Sequence, residues 1–169
     1  PGAQGEHKVW RGFEPTPTGL RRLHEEYLAL PQERIDAILG PLVVRLEAED
    51  RARPIGEDDP RRWLLAADRE FRVGSHHDRG LLSVLLLNLI HLRPGQGLYL
   101  PAGVLHAYLR GVGVEIMGSS DNVLRGGLTP KHVDVGDLHR VVRFEGERPR
   151  ILEPEPVSAG IEWVWRTPA

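Results

Sequence analysis

The sequence contains no cysteine. That excludes disulfides and every zinc or iron–sulfur site built on thiolates, so any metal must be held by His, carboxylate or amide groups. It also lacks an excess of either charge: 22 Lys and Arg stand against 24 Asp and Glu, a net charge of −2. Nothing in that balance points to nucleic acid, and an anionic substrate has to be held by a few local cations. No apolar h-region occurs over Pro1 to Lys8, so no signal peptide is visible. The longest apolar run, Leu81 to Leu92, is interrupted by Ser83, Asn88 and His91 and is too short for a bilayer, so no membrane partner is expected. Internal repeats and low-complexity tracts are absent too. The reading is a soluble, cytoplasmic chain of one-domain size: 169 residues, 40% hydrophobic and 27% charged, enough to bury a core.

The chain changes character near Gly80, which divides it into a mainly helical segment, 1–79, and a strand-rich domain, 80–169. From Gly19 to Phe71, Leu, Ala, Arg and Glu favour helix. Thr18 is placed to cap a helix whose apolar positions Leu20, Leu23, Tyr27, Leu28 and Leu30 approximate a 3.6-residue period. Pro31 ends it, a second helix covers Gln32 to Leu39, and Gly40-Pro41 predicts a break before a third beginning near Leu42. Arg51 to Asp59 reads as a loop, and Pro at the first turn fits a helix over Pro60 to Phe71. Beyond Gly80, branched apolar residues predict strands at Ser83 to Leu92, Leu98 to Leu100, Ala107 to Leu109, Val112 to Met117, Leu124 to Leu128, Ile151 to Leu152 and Ile161 to Trp165. Asp134 to Val142 reads as a helix capped by Asp134. The class is α+β.

Chemistry concentrates between Leu92 and Val135. On local grounds each residue there has an ordinary explanation. His106 beside apolar neighbours is a structural histidine by default. Glu115 alternates away from Val114 and Ile116, which fits solvent as well as a site. Asp121-Asn122 reads as turn residues, Lys131 as an exposed lysine, and Arg125 as a turn cation. Gly126-Gly127 next to Arg125 favours close backbone approach. His76-His77 reads as a solvated loop rather than a metal pair, and Trp63, Trp163 and Trp165 as packing groups.

The order and spacing of these residues are more specific than any one of them. Tyr99-Leu100-Pro101-Ala102-Gly103-Val104-Leu105-His106-Ala107-Tyr108-Leu109 resembles the zinc-ligand segment of the type I, zinc-dependent phosphomannose isomerases. Glu115-Ile116-Met117, then Ser120-Asp121-Asn122-Val123-Leu124-Arg125-Gly126-Gly127-Leu128-Thr129-Pro130-Lys131 and His132-Val133-Asp134-Val135, resemble that family's signature region. The resemblance is strong from about Leu82 to Phe144. It implies a partial cupin-like β-barrel after the helical segment, and interconversion of mannose 6-phosphate and fructose 6-phosphate with a bound zinc ion. By position it makes His106 a zinc ligand and Arg125 the active-site arginine. It places Glu115, Asp121 and Lys131 on the substrate-facing side, with a small sugar phosphate as partner.

The same resemblance implies ligands this sequence lacks. The family's Gln-x-His and Lys-Pro-Glu segments do not occur, and Glu6-His7-Lys8-Val9 matches the second only superficially. The expectation is therefore a C-terminal part, incomplete at both ends, that needs a missing N-terminal half and does not turn over substrate alone. A non-catalytic sugar-phosphate-binding or regulatory module is the competing reading. An unrelated cupin with purely local ligands would need a His-x-His that is not found after Gly97.

Overall fold

A computed structural model describes residues 14–119, 123–146, 148–158 and 160–168. The first helix, α1 (Pro17–Leu28), begins where Thr16 accepts a hydrogen bond from the Gly19 N–H at 3.1 Å. The cap is thus Thr16 and not Thr18. Pro17 follows it at the first helical position, where a missing N–H costs nothing. Helix α3 (Pro60–Phe71) occupies the expected span, capped by Asp59 on the Arg61 N–H at 2.9 Å.

Helix α2 departs from expectation: it runs unbroken over Gln32–Ala52, straight through Gly40-Pro41. Its buried stripe explains why. Ile35, Leu39, Val43 and Leu46 lie on one face and are all 0–1% exposed, while Pro41 is exposed on the other. Burying such side chains stabilises by roughly 1.5–3 kcal/mol each, which outweighs the ~3 kcal/mol cost of an internal proline.

The apolar run after Gly80 likewise begins as a helix, α4 (Leu81–Leu86), instead of a strand. Leu81, Leu82 and Val84 are buried and α4 packs against α3. A short unbroken apolar run is compatible with either state, and the neighbouring helix decides it. Tyr27, Ile35, Leu39, Leu64 and Leu81, each fully inaccessible, form the centre of the core. Leu138 and Val142, from the short helix α5 (Val135–Val141) and its C-cap, join the same cluster. Asp134 caps α5 as expected, accepting from the Asp137 N–H at 2.8 Å.

The strands are short and antiparallel: β1 (Gly97–Leu98) pairs with β2 (Ile151–Leu152), and β3 (Glu155–Pro156) with β4 (Trp163–Val164). Trp165 lies across Gly97 and donates its indole N–H to the Gly95 carbonyl at 2.9 Å. The chain is α+β, and no closed barrel forms among the described residues. The segments expected as strands at 107–109, 112–117 and 124–128 carry no ladder. A strand requires a partner strand for its N–H and C=O groups, and no such strand lies beside these segments among the described residues. No helix among the described residues is long and apolar enough to cross a membrane.

Candidate functional site

The segment leading to His106 is fixed by a turn. Val104 N–H bonds the Pro101 carbonyl at 3.3 Å, and Gly103 takes φ +84°, which favours glycine. The Gly103 carbonyl accepts from the Arg143 N–H at 2.9 Å, pinning the turn to the end of α5. His106 follows, exposed, with Nδ1 3.0 Å from the Val104 carbonyl. As the donor in that bond, Nδ1 leaves Nε2 as the ring's lone-pair nitrogen. The imidazole meets the Tyr108 ring edge-on at 5.8 Å. The Tyr108 hydroxyl is raised above its ordinary value, first by desolvation and then by the hydrogen bond and charge of Glu115. His106 and Glu115 thus both lie beside Tyr108.

Arg125 is half-buried and leads into Gly126-Gly127. The close approach expected there is real. Gly127 has φ +123°, and a Cβ on it would lie 2.7 Å from the Gly80 Cα. Asp78 ties the two strands of chain together, its Oδ1 accepting from the Gly80 N–H at 2.7 Å and the Leu128 N–H at 3.0 Å. Around Gly126 the nearest side chains are Leu105 and Leu138, so the His106 segment and α5 meet next to Arg125. Lys131 is exposed and its N–H donates to Thr129 Oγ1 at 3.1 Å. Asp121 lies outside the described residues. Asp78 and Gly80 are the positioning residues that sequence reasoning missed. The Asp-x-Gly pattern at 78–80 is the turn signal that points to both.

Of His76-His77 only His76 is solvent-exposed as a loop residue; His77 is not. His77 is 7% exposed and bonds the buried Asp68 through Nδ1 at 2.6 Å; Arg72 is the second partner of Asp68. His76 reaches Asp36 at 2.7 Å. Desolvation pushes the Asp36 carboxyl up, but hydrogen bonds from His76, the His77 N–H and Gln32 hold it down at about 2. These contacts lock the 73–77 turn onto α2 and α3. Trp63 packs as expected, with its indole N–H on the Glu57 carbonyl at 2.7 Å, whereas Trp163 and Trp165 are about half exposed.

A cavity of about 260 Å³ beside Trp63 is lined by Arg62, Arg69 and Arg110. Asp50 also lines it, and Arg110 is held by Glu57 at 2.7 Å. None of the sequence-derived site residues borders it. A zinc ion needs at least three protein ligands. Among the described residues no group of three or more His, Asp or Glu is placed to hold a metal. His106 alone does not fit a zinc site.

An α+β chain with an exposed polar segment bracketed by glycine turns is what comparison with known proteins must account for. It is 49% identical over 85 residues to the mannose-6-phosphate isomerase of Escherichia coli, covering 50% of this chain and 22% of that protein. It is 35% identical over 140 residues to mannose-6-phosphate isomerase 1 of Arabidopsis thaliana, covering 83% and 31%. For the Bos taurus mannose-6-phosphate isomerase the identity is 32% over 142 residues, covering 84% and 33%. No family profile and no solved structure matches the chain. By sequence the chain belongs to the mannose-6-phosphate isomerase family. It spans between 22% and 33% of the length of these relatives.

Proposed function

We propose that the chain is the part of a mannose-6-phosphate isomerase that presents substrate-facing side chains for interconversion of mannose 6-phosphate and fructose 6-phosphate. The observation that carries this reading is the agreement with relatives of that name from a bacterium, a plant and a mammal. The reaction moves a proton between C1 and C2 through an enediolate, and negative charge gathers on oxygen along the way. Arg125, a permanent cation beside two glycines, is the group that meets that charge. Lys131 supplies a point charge for the phosphate, and Glu115 and Asp121 supply polar contacts to the sugar. His106 offers one nitrogen to a zinc site whose remaining ligands must come from outside the described residues. The alternation of Val112, Val114 and Ile116, all more than 90% exposed, supports reading 112–117 as a strand of an incomplete cupin-like barrel. We place the protein in the cytoplasm, acting on a small sugar phosphate. The weak metal donor set favours the second reading, a non-catalytic sugar-phosphate module.

The test is complementation. Co-expressed with the remaining sequence of a relative, the chain is expected to isomerise mannose 6-phosphate in a coupled assay, whereas alone it does not. In that complex Arg125→Ala lowers kcat on the order of a hundredfold or more, because the charge it meets develops in the transition state. Lys131→Ala chiefly raises KM, since a phosphate contact binds ground and transition states alike. A complex that assembles yet binds substrate without turnover establishes the non-catalytic reading. Full kcat in Arg125→Ala makes that arginine structural.

A further inference from the structure

Helix α5 acts as a bracket for both halves of the candidate site. The Arg143 N–H just past its end holds the Gly103 carbonyl at 2.9 Å, and Leu138 lies against Gly126. Its own attachment to α1 is unusual. His24 Nδ1 and His139 Nε2 lie 2.8 Å apart and share one hydrogen bond, and Arg21 donates to the His139 carbonyl at 2.7 Å. His24 is 4% exposed, and its Nε2 is buried with no partner among the described residues. Its ring is boxed edge-on by Tyr27, His139 and Phe144 at 5.1, 5.1 and 5.3 Å.

Two imidazoles facing nitrogen to nitrogen tolerate one proton between them. A further proton on His24 goes to the buried Nε2, which has no acceptor among the described residues. With both rings protonated, two N–H donors and two charges also point at each other. The surroundings offer no relief. From α1 come Arg21, a further cation stacked 4.8 Å over Phe144, and Tyr27, whose hydroxyl bonds Ser83 of α4. The nearby carboxylates are engaged elsewhere: Glu25 with Arg21, Asp137 with Arg140, Glu145 with Arg143. Among the described residues no carboxylate touches either ring.

We infer that the His24–His139 contact is a pH-sensitive latch: protonation of the buried imidazole releases α5 from α1 and loosens the two segments that carry His106 and Arg125. The inference does not depend on the proposed activity, because its readout is structural. Burial, and after it the charge of His139, lowers His24 from 6.5 to about 4. The closed junction therefore holds fewer protons than the open one between those values, and opening grows as pH falls through that window. At pH 5 the opening constant of α5 is expected to be about 30-fold larger than at pH 8.

The experiment is amide hydrogen exchange on this chain at pH 8, 6 and 5, corrected for intrinsic rates. Leu138 and Val142 in and after α5 are compared with the α2 amides, and His24 is titrated by NMR alongside. The expected result is selective loss of α5 protection on acidification, abolished in His24→Gln, with His24 titrating well below its ordinary value. Parallel exchange of α5 and α2 at every pH overturns the inference, as does a dependence that survives His24→Gln. Where that variant does not fold, the wild-type titration decides: an ordinary His24 value refutes the latch.

Discussion

Asp68 is a carboxylate only 2% exposed in a helix whose neighbours are Trp63, Leu64 and Leu65. It survives there because His77 and Arg72 supply two charge-capable partners. Removing the carboxylate strands both, leaving a buried imidazole and a guanidinium without their acceptor. Asp68→Ala is expected to lower stability by about 3 kcal/mol, read as a shift in the urea midpoint. A change below ~0.5 kcal/mol would mean that the turn bearing His76 and His77 holds without it. Nothing in the sequence distinguishes this pair from a solvated loop. Burial of His77 depends on α2 and α3 folding over it, a tertiary fact that the dipeptide does not carry. The same limit applies to His106, Glu115, Arg125 and Lys131. Motif order singles them out, but only the structure shows Tyr108 beside the first two and the Asp78 brace behind Arg125.

Among the elements, α3 was legible to the residue because its signal is local, a proline at the first turn. Helix α2 was not, because Gly40-Pro41 is a strong local breaker that four buried side chains override. That competition makes a prediction. Gly40 sits mid-helix, and an added Cβ would meet its nearest neighbour, His77 Nε2, at an ordinary 3.6 Å. Gly40→Ala should therefore raise stability by about 0.5–1 kcal/mol, measured by thermal or urea unfolding. Destabilisation instead would show that the helix needs the flexibility of that residue beside Pro41. Helix α4 was misread for a different reason, since a run of Leu and Val satisfies a strand and a buried helix equally.

At the scale of the whole molecule, one half is built inward and the other outward. The helices enclose their apolar side chains, whereas Tyr108, Val112, Val114, Ile116 and Met117 stand 61–106% exposed. The alternation that predicts a strand is present in the sequence, but the ladder that would make it one is not formed among the described residues. Sequence pattern specifies a preference, and pairing partners convert it into structure.

That ribbon also has the shape a protease wants. Serine proteases bind their substrates extended, with backbone N–H and C=O groups free to pair with the enzyme, and among the described residues none makes a backbone–backbone hydrogen bond to 105–118. Tyr108 is the most exposed aromatic side chain among the described residues, ahead of Trp163, Trp165 and Tyr99, so limited chymotrypsin should nick there before any other described site, with the helical core outlasting the cut. Mass spectrometry of the first fragments reads this directly, and an initial cut inside α1, α2 or α3 would contradict it. The segment that carries His106 is thus also the place where the isolated chain is most easily divided in two.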